Sequence, residues 1–309
     1  MPRVKSVSVL AFALTLGLVS VGAAADKIPG IGPVGQIQKV DAKFQFTEGP
    51  ASDRQGNIYF SDIPANKIFK LDSAGKVEEF LDPSGHSNGL MFNAKGTLFA
   101  CQMDGKIVSI DVKTKKTTDI TAEHDGKRYN APNDLVVDKA GGVYFTDPRF
   151  RAPEPWPQGV EAVYYASADG KVTRLVSDLK APNGVILSPD EKTLYVIPSL
   201  QKEMMEYPIE APGKLGKGRV FCSLQQKPGS DNGGGDGLTV DEKGNLYITS
   251  GLGLQVYDPK GKHLGNIEFP EQPANVTFGG KDNKTLYVTA RSSVYYVQME
   301  VAGHQFPGK

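Results

Sequence analysis

Two cysteines, one tryptophan and four histidines in 309 residues leave this chain poor in the side chains that build disulfide frameworks and zinc sites. Cys101 and Cys222 fall in different internal repeats, which predicts two unpaired buried thiols rather than a bridge. Net charge is also missing. With 35 Lys+Arg against 35 Asp+Glu and no run of five like charges, the surface has no long-range attraction for phosphate backbones or anionic lipid, so nucleic acid is not an expected partner. No G-x-S-x-G motif occurs, and His86, His124, His263 and His304 form no metal-spaced pair; only His86, close to Asn88, is placed to face a channel. Glycine and proline, by contrast, are abundant at 35 and 21 residues, well above their usual combined share of ~12%. That excess predicts many turns, few long helices and an all-β chain.

One apolar run breaks the pattern. Arg3 and Lys5 precede the stretch from Val9 to Val21, and Ala23-Ala24-Ala25 follows, which are the three parts of a secretory signal peptide in order. The run is shorter than the ~20 residues a spanning helix needs. Cleavage after Ala25 is expected, leaving residues 26–309 as one domain, periplasmic or secreted, with no stable membrane association.

The chain repeats itself. Six similar segments begin at Glu48, Asn88, Asn133, Asn183, Asp236 and Asn275, spaced by 40, 45, 50, 53 and 39 residues. Each reads as a polar residue, a short apolar strand, a tight turn and a β-rich run such as NIYFSD or TLYVTA. A unit of ~45 residues with four short strands is a propeller blade, and six blades closing in a ring leave no long exposed edge. The predicted fold is therefore a six-bladed β-propeller. Its last copy lacks an outer strand, which the N-terminal strand Gln36 to Phe46 is expected to supply by closing the last blade.

In a propeller the first strand of each blade lines the central channel, so the six leading residues point at one axis. Carboxylates and amide oxygens are hard donors, and the set Glu48, Asn183 and Asp236 suits a divalent ion such as calcium, magnesium, manganese or zinc. A strand cap or a hydrated polar channel is the competing reading, Asn before Gly is also ordinary turn chemistry, and this reading is favoured at Asn88 and Asn275.

The runs DGKRYNAPNDLVVDKAGGVYFTDPRF from Asp125, EGP at Glu48, APNGV around Asn183 and GDGLTVDEKGNLYITS at Gly235 resemble the gluconolactonase, regucalcin and luciferin-regenerating enzyme family over nearly all of residues 40–300. The resemblance implies a six-bladed propeller holding one divalent ion, with calcium expected and zinc, magnesium or manganese as alternatives. It also implies that Glu48, Asn183 and Asp236 are the metal ligands, that Asn133 contacts substrate or water beside the metal, and that Asp236 is the general base. One departure stands out. In the regucalcin branch an Arg that contacts substrate lies two residues before the Asn matching Asn133, and Ala131 is there in this chain, with Arg128 the nearest basic residue. Asp134 stands where four of the other five copies have Gly, open to a second, weaker cation or to a plain turn role.

The activity implied is hydrolysis of a sugar lactone. Alternatives are another metal-dependent esterase or phosphotriesterase, or a non-catalytic ligand-binding propeller, since fold does not fix function. A small-molecule lactone is the expected partner, and the chain is a monomer or a dimer. The Pro-rich insertion Pro148 to Gly159 carries the only Trp, so Trp156 or Arg149 forms a wall of the substrate pocket or else packs on its own blade.

Overall fold

The recurrent turn is the unit from which the fold grows. The Asp53 carboxylate accepts the backbone N–H groups of Gln55 and Asn57 at 2.9 Å each, and Gly56 takes a φ of 81°, a left-handed backbone that a side chain would strain. The same device returns at Asp72, Asn93, Asp241 and Asp258. Each such turn folds an apolar run back on itself, so consecutive strands pair antiparallel. The computed structural model describes residues 27–306 and contains no helix among them. The expected leader, residues 1–25, lies outside the described residues.

Six sheets stand around one axis, each built from strands consecutive in sequence except the last. Blade 1 runs from Thr47–Ser52 through Ile58–Asp62 and Lys67–Leu71 to Val77–Leu81. Blades 2 to 6 open on the inner strands Ser87–Phe92, Leu135–Val137, Pro182–Leu187, Leu238–Val240 and Asn275–Gly279. Blade 4 is enlarged. Its third strand, Glu203–Ala211, pairs with the outer strand Arg219–Ser223 and also with the short Lys214–Leu215.

The last blade is closed by Val34–Lys39, antiparallel to Ser293–Gln298, as the missing outer strand predicted. The strand starts two residues earlier and ends sooner than Gln36 to Phe46. Only the bonds Val40 N–H to Val294 O (2.9 Å) and Phe44 N–H to Ser292 O (3.3 Å) extend the ladder. By Phe44 the chain has crossed to blade 1, where that ring packs edge-on against Phe60 and Phe69.

Apolar residues on both faces of each blade meet those of the next. Tyr59 in blade 1 touches Phe92 in blade 2, and Tyr247 in blade 5 touches Phe278 in blade 6, with ring centroids 5.1 and 5.2 Å apart. Cys101 and Cys222 are buried and unpaired, as their places in separate blades implied. Among the described residues no helix is long and apolar enough to cross a membrane.

Candidate functional site

The inner strands approach one another so closely at the axis that glycine is required there. A Cβ on Gly49 would stand 2.0 Å from the Asn88 carbonyl oxygen, one on Gly184 would stand 2.4 Å from that of Asp236, and one on Gly237 would strike the Asn275 side chain at 2.0 Å. Neighbouring blades are stitched at the same level: Gly89 N–H donates to Asn133 O (2.8 Å), Gly184 N–H to Asp236 O (3.0 Å) and Gly237 N–H to Ala274 O (2.8 Å). The Asn-Gly pairs are thus strand-to-strand contacts and not turns. Hydroxyls reinforce the stitching. Ser61 Oγ donates to Asn88 O at 2.7 Å and Thr146 Oγ1 to Asn183 O at 2.6 Å, each reaching from a second strand to the next blade's ring residue.

This packing gathers the polar residues. Glu48, Asn88, Asn133, Asn183 and Asn275 are all buried, and Asp236 is partly exposed. Asn183 hydrogen-bonds Asp236 and also donates from Nδ2 to Ser199 Oγ at 3.0 Å, while Asn275 hydrogen-bonds both Glu48 and Asp134. Burial, then the charges of Asp236 and Asp134, holds the Glu48 carboxyl well above the usual range against the pull of the Gly49 N–H. Burial likewise raises Asp236, opposed by its bond from Asn183 and by the Arg291 charge. Three carboxyl groups therefore sit on one axis, each with its charged form disfavoured.

That arrangement fits a divalent cation. Among the described residues no three His, Cys, Asp and Glu side chains are grouped as a metal cage. The ring's donors are instead two carboxylates and amide oxygens, a hard set suited to an ion that keeps water ligands, and such an ion would offset the repulsion between Glu48 and Asp236.

Below the ring lies a feature that the repeat pattern only hinted at. Asp134, where most copies have Gly, projects to within 2.5 Å of the position a Gly89 Cβ would take. Burial pushes its carboxyl up to about 7, against hydrogen bonds from the Leu135 and Val185 N–H groups and Asn275. Beneath it is a small cavity of about 50 Å³ lined by Pro50, Met91, Val136, Ile186 and Thr277 and closed by Phe306, which is 3% exposed. The C-terminal segment reaches that place through the pairing of Gly303 with Asp241 and a His304 N–H bond to Val240 O.

Residues 46–292 match the SMP-30/Gluconolactonase/LRE-like region. The chain belongs to this family. The gluconolactonase of Zymomonas mobilis is 31% identical over 293 residues, covering 86% of this chain and 82% of that protein. A solved gluconolactonase from Xanthomonas campestris superposes with a TM-score of 0.78 at 27% identity, covering 92% of this chain and 99% of that one. Regucalcin from Agrobacterium tumefaciens, a calcium-binding protein, gives a TM-score of 0.73 at 25% identity and coverages of 87% and 95%.

Within this gluconolactonase-like frame, Glu48, Asn133, Asn183 and Asp236 occupy equivalent levels on four blades. Arg128 and Trp156 each have partners of their own. Arg128 donates from Nε to Tyr129 O (3.1 Å) and from Nη2 to Asn130 O (3.4 Å), lying across Gly105. Trp156 bonds Glu154 through Nε1 (2.8 Å) and the Arg149 guanidinium lies 4.4 Å from its ring centroid, while Gln158 ties the insertion to Asn130 and to the His124 and Lys127 carbonyls. His86 pairs with Asp104 at 3.0 Å. Two carboxylates absent from the sequence reading fix the approach to the ring: Asp62 accepts the Gln45 and Phe46 N–H groups, and Asp147 accepts those of Asn130 and Ala131. The matching ends of NIYFSD and GVYFTD were the available signal.

Proposed function

We propose that the chain hydrolyses sugar lactones and depends on one divalent metal ion, with calcium expected and zinc, magnesium or manganese as alternatives. The observation that carries this reading is the convergence of Glu48, Asn183 and Asp236 at the axis of a propeller whose relatives are named gluconolactonases. Glu48, Asn183 and Asp236 would hold the ion. Bound there, a divalent cation polarises an ester carbonyl and stabilises the negative charge that develops on its oxygen.

The remaining chemistry falls to the chain's own groups. Asp236 takes the proton of the attacking water on a carboxylate oxygen. Asn183 holds that carboxylate in place and is itself held by Ser199, whose hydroxyl donates to Gly235 O at 2.9 Å. Asn133, anchored through its N–H to Thr146 O at 2.9 Å, contacts the lactone or the water. A strained ring ester needs no covalent nucleophile. Export through the N-terminal leader is part of the proposal, supported by Arg3, Lys5 and the Ala23-Ala24-Ala25 site.

The test is a lactone panel run on chelator-dialysed protein before and after calcium, zinc, magnesium or manganese is restored. Turnover that vanishes on dialysis and returns with one ion supports the reading. Full turnover after thorough dialysis removes the metal from it, and no turnover on any lactone with any ion removes the reaction.

A further inference from the structure

The ring is overlooked by residues that end the second strand of each blade and by those that lead into its inner strand. On blades 1 to 3 the second strands themselves end in Asp62, Gln102 and Asp147, and beside those ends Phe46, Ile63, Met103 and Ala131 form one apolar cluster. Blades 5 and 6 present cations instead. Arg291 sits at the tip of the turn between Thr285–Ala290 and Ser293–Gln298, with a φ of 51°, and its carbonyl accepts the Thr47 N–H at 2.7 Å, beside Glu48. Its guanidinium lies 5.8 Å over the Phe46 ring and donates from Nη2 to Gln272 Oε1 at 3.2 Å. Glu271, close by in sequence, is bound to Ser292, Ser293 and Tyr295 instead. At the equivalent turn of blade 5, the Lys227 Nζ comes within 3.9 Å of the place a Gly251 Cβ would take.

We propose that Arg291, aided by Lys227, is the specificity-determining residue of this site and selects sugar lactones that carry an acidic group, a carboxylate or a phosphate, remote from the lactone carbonyl. This rests on the lactonase reading. A guanidinium offers a planar fork that matches either anion, and Arg291 is fixed at the rim by its backbone bond to Thr47 and by its bond to Gln272. Phe46, the partly exposed member of that cluster and the ring the guanidinium covers, would meet the C–H face of the sugar ring, leaving the charged end toward blades 5 and 6. A neutral polyol would leave that guanidinium with no anion to meet beyond Asp236.

Three substrates decide it: glucono-δ-lactone, its phosphate ester and glucarolactone, the carboxylate analogue. The parent should favour a charged substrate, mainly through KM, and the preference should shrink in about 0.5 M salt as screening shortens the reach of the cations. Comparing the phosphate and carboxylate arms identifies which anion is read. Arg291→Gln should lower the preference for the charged over the neutral lactone, as a ratio of kcat/KM values, by about tenfold or more, and Arg291→Lys should keep part of it. Equal handling of neutral and charged lactones by the parent overturns the proposal. So does an equal loss on both in Arg291→Gln, which would mean that the guanidinium serves only Asp236. Calorimetric binding of glucose and of its primary phosphate ester to calcium-loaded parent and Arg291→Gln gives a readout free of turnover. If no lactone is hydrolysed the lactonase reading fails, while binding of the phosphate ester over glucose, lost in Arg291→Gln, still decides the anion site.

Discussion

Gly184→Ala isolates the close packing that builds the ring. Gly184 has no positive φ, so the added methyl acts by volume alone, and its Cβ would stand 2.4 Å from the Asp236 carbonyl oxygen and 2.8 Å from Leu238 Cδ2. Backbone and a buried core side chain cannot swing away, so blades 4 and 5 must separate by several tenths of an ångström. Overpacking of this kind costs about 1–3 kcal/mol, and stretching the 3.0 Å bond from Gly184 N–H to Asp236 O forfeits about 1 kcal/mol more. A combined loss of about 2–4 kcal/mol lowers the Tm of a chain this size by about 3–7 °C. Because the strand that moves carries Asp236, calcium affinity measured by calorimetry should fall as well. Gly216→Ala is the control: its nearest neighbour is the flexible Glu210 carboxylate at 3.3 Å, and its Tm should stay near the parent's or rise slightly. A Gly184→Ala protein that melts with the parent and binds calcium equally well would refute the account of the ring as a close-packed glycine collar.

Two further outcomes follow from the same structure. Removing residues 26–39 deletes the strand that closes the last blade together with buried Ile28, Ile31 and Ile37; at about 1.5–3 kcal/mol for each side chain the loss exceeds about 4 kcal/mol, and a Tm within a degree or two of the parent's would contradict closure. Stability of the chelator-treated protein should fall as pH rises from about 5 to 8: the unfolded chain releases its carboxyl protons near pH 4, whereas folded Asp134 and Asp147 keep theirs up to about 7, so the folded state holds more protons across that window. Calcium, held by Glu48 and Asp236 and not by these two groups, should raise the Tm because a ligand of the folded state alone stabilises it, and a Tm that climbs with pH without metal would show the sign to be wrong.

The propeller was legible because each blade repeats one strand-turn-strand phrase, and a period near 45 residues survives changes in individual residues. The closing strand was legible for a similar reason, since the last copy visibly lacked an outer partner. Its end was misplaced because Val40 and Phe44 continue the apolar pattern of the strand while already packing toward blade 1. All six ring positions followed from the repeat phase, but Asn-Gly suggested a turn where the structure has a strand contact, because a local pair of residues does not reveal a neighbour 45 residues away. Phe306 and Arg291 were beyond reach as site features for the same reason, since one arrives from the C-terminus and one sits in an ordinary hairpin turn, whereas Asp134 stood out because it replaces a glycine. Asp62 and Asp147 end repeated motifs and could have been found by comparing the ends of the second strands.

The central claim is that one ring carboxylate is both ligand and base while the other is a ligand only. Asp236→Asn retains an oxygen donor but cannot accept the water's proton, and Glu48→Gln alters metal binding alone. The decisive measurement is lactone turnover by metal-saturated Asp236→Asn, with occupancy checked by calorimetry and Glu48→Gln assayed beside it at high calcium. Turnover should fall by about 10²–10⁴-fold in Asp236→Asn with the ion still bound, and should largely return in Glu48→Gln once the ion is in excess. A loaded Asp236→Asn protein that hydrolyses lactones at a rate close to the parent's would show that Asp236 is not the base.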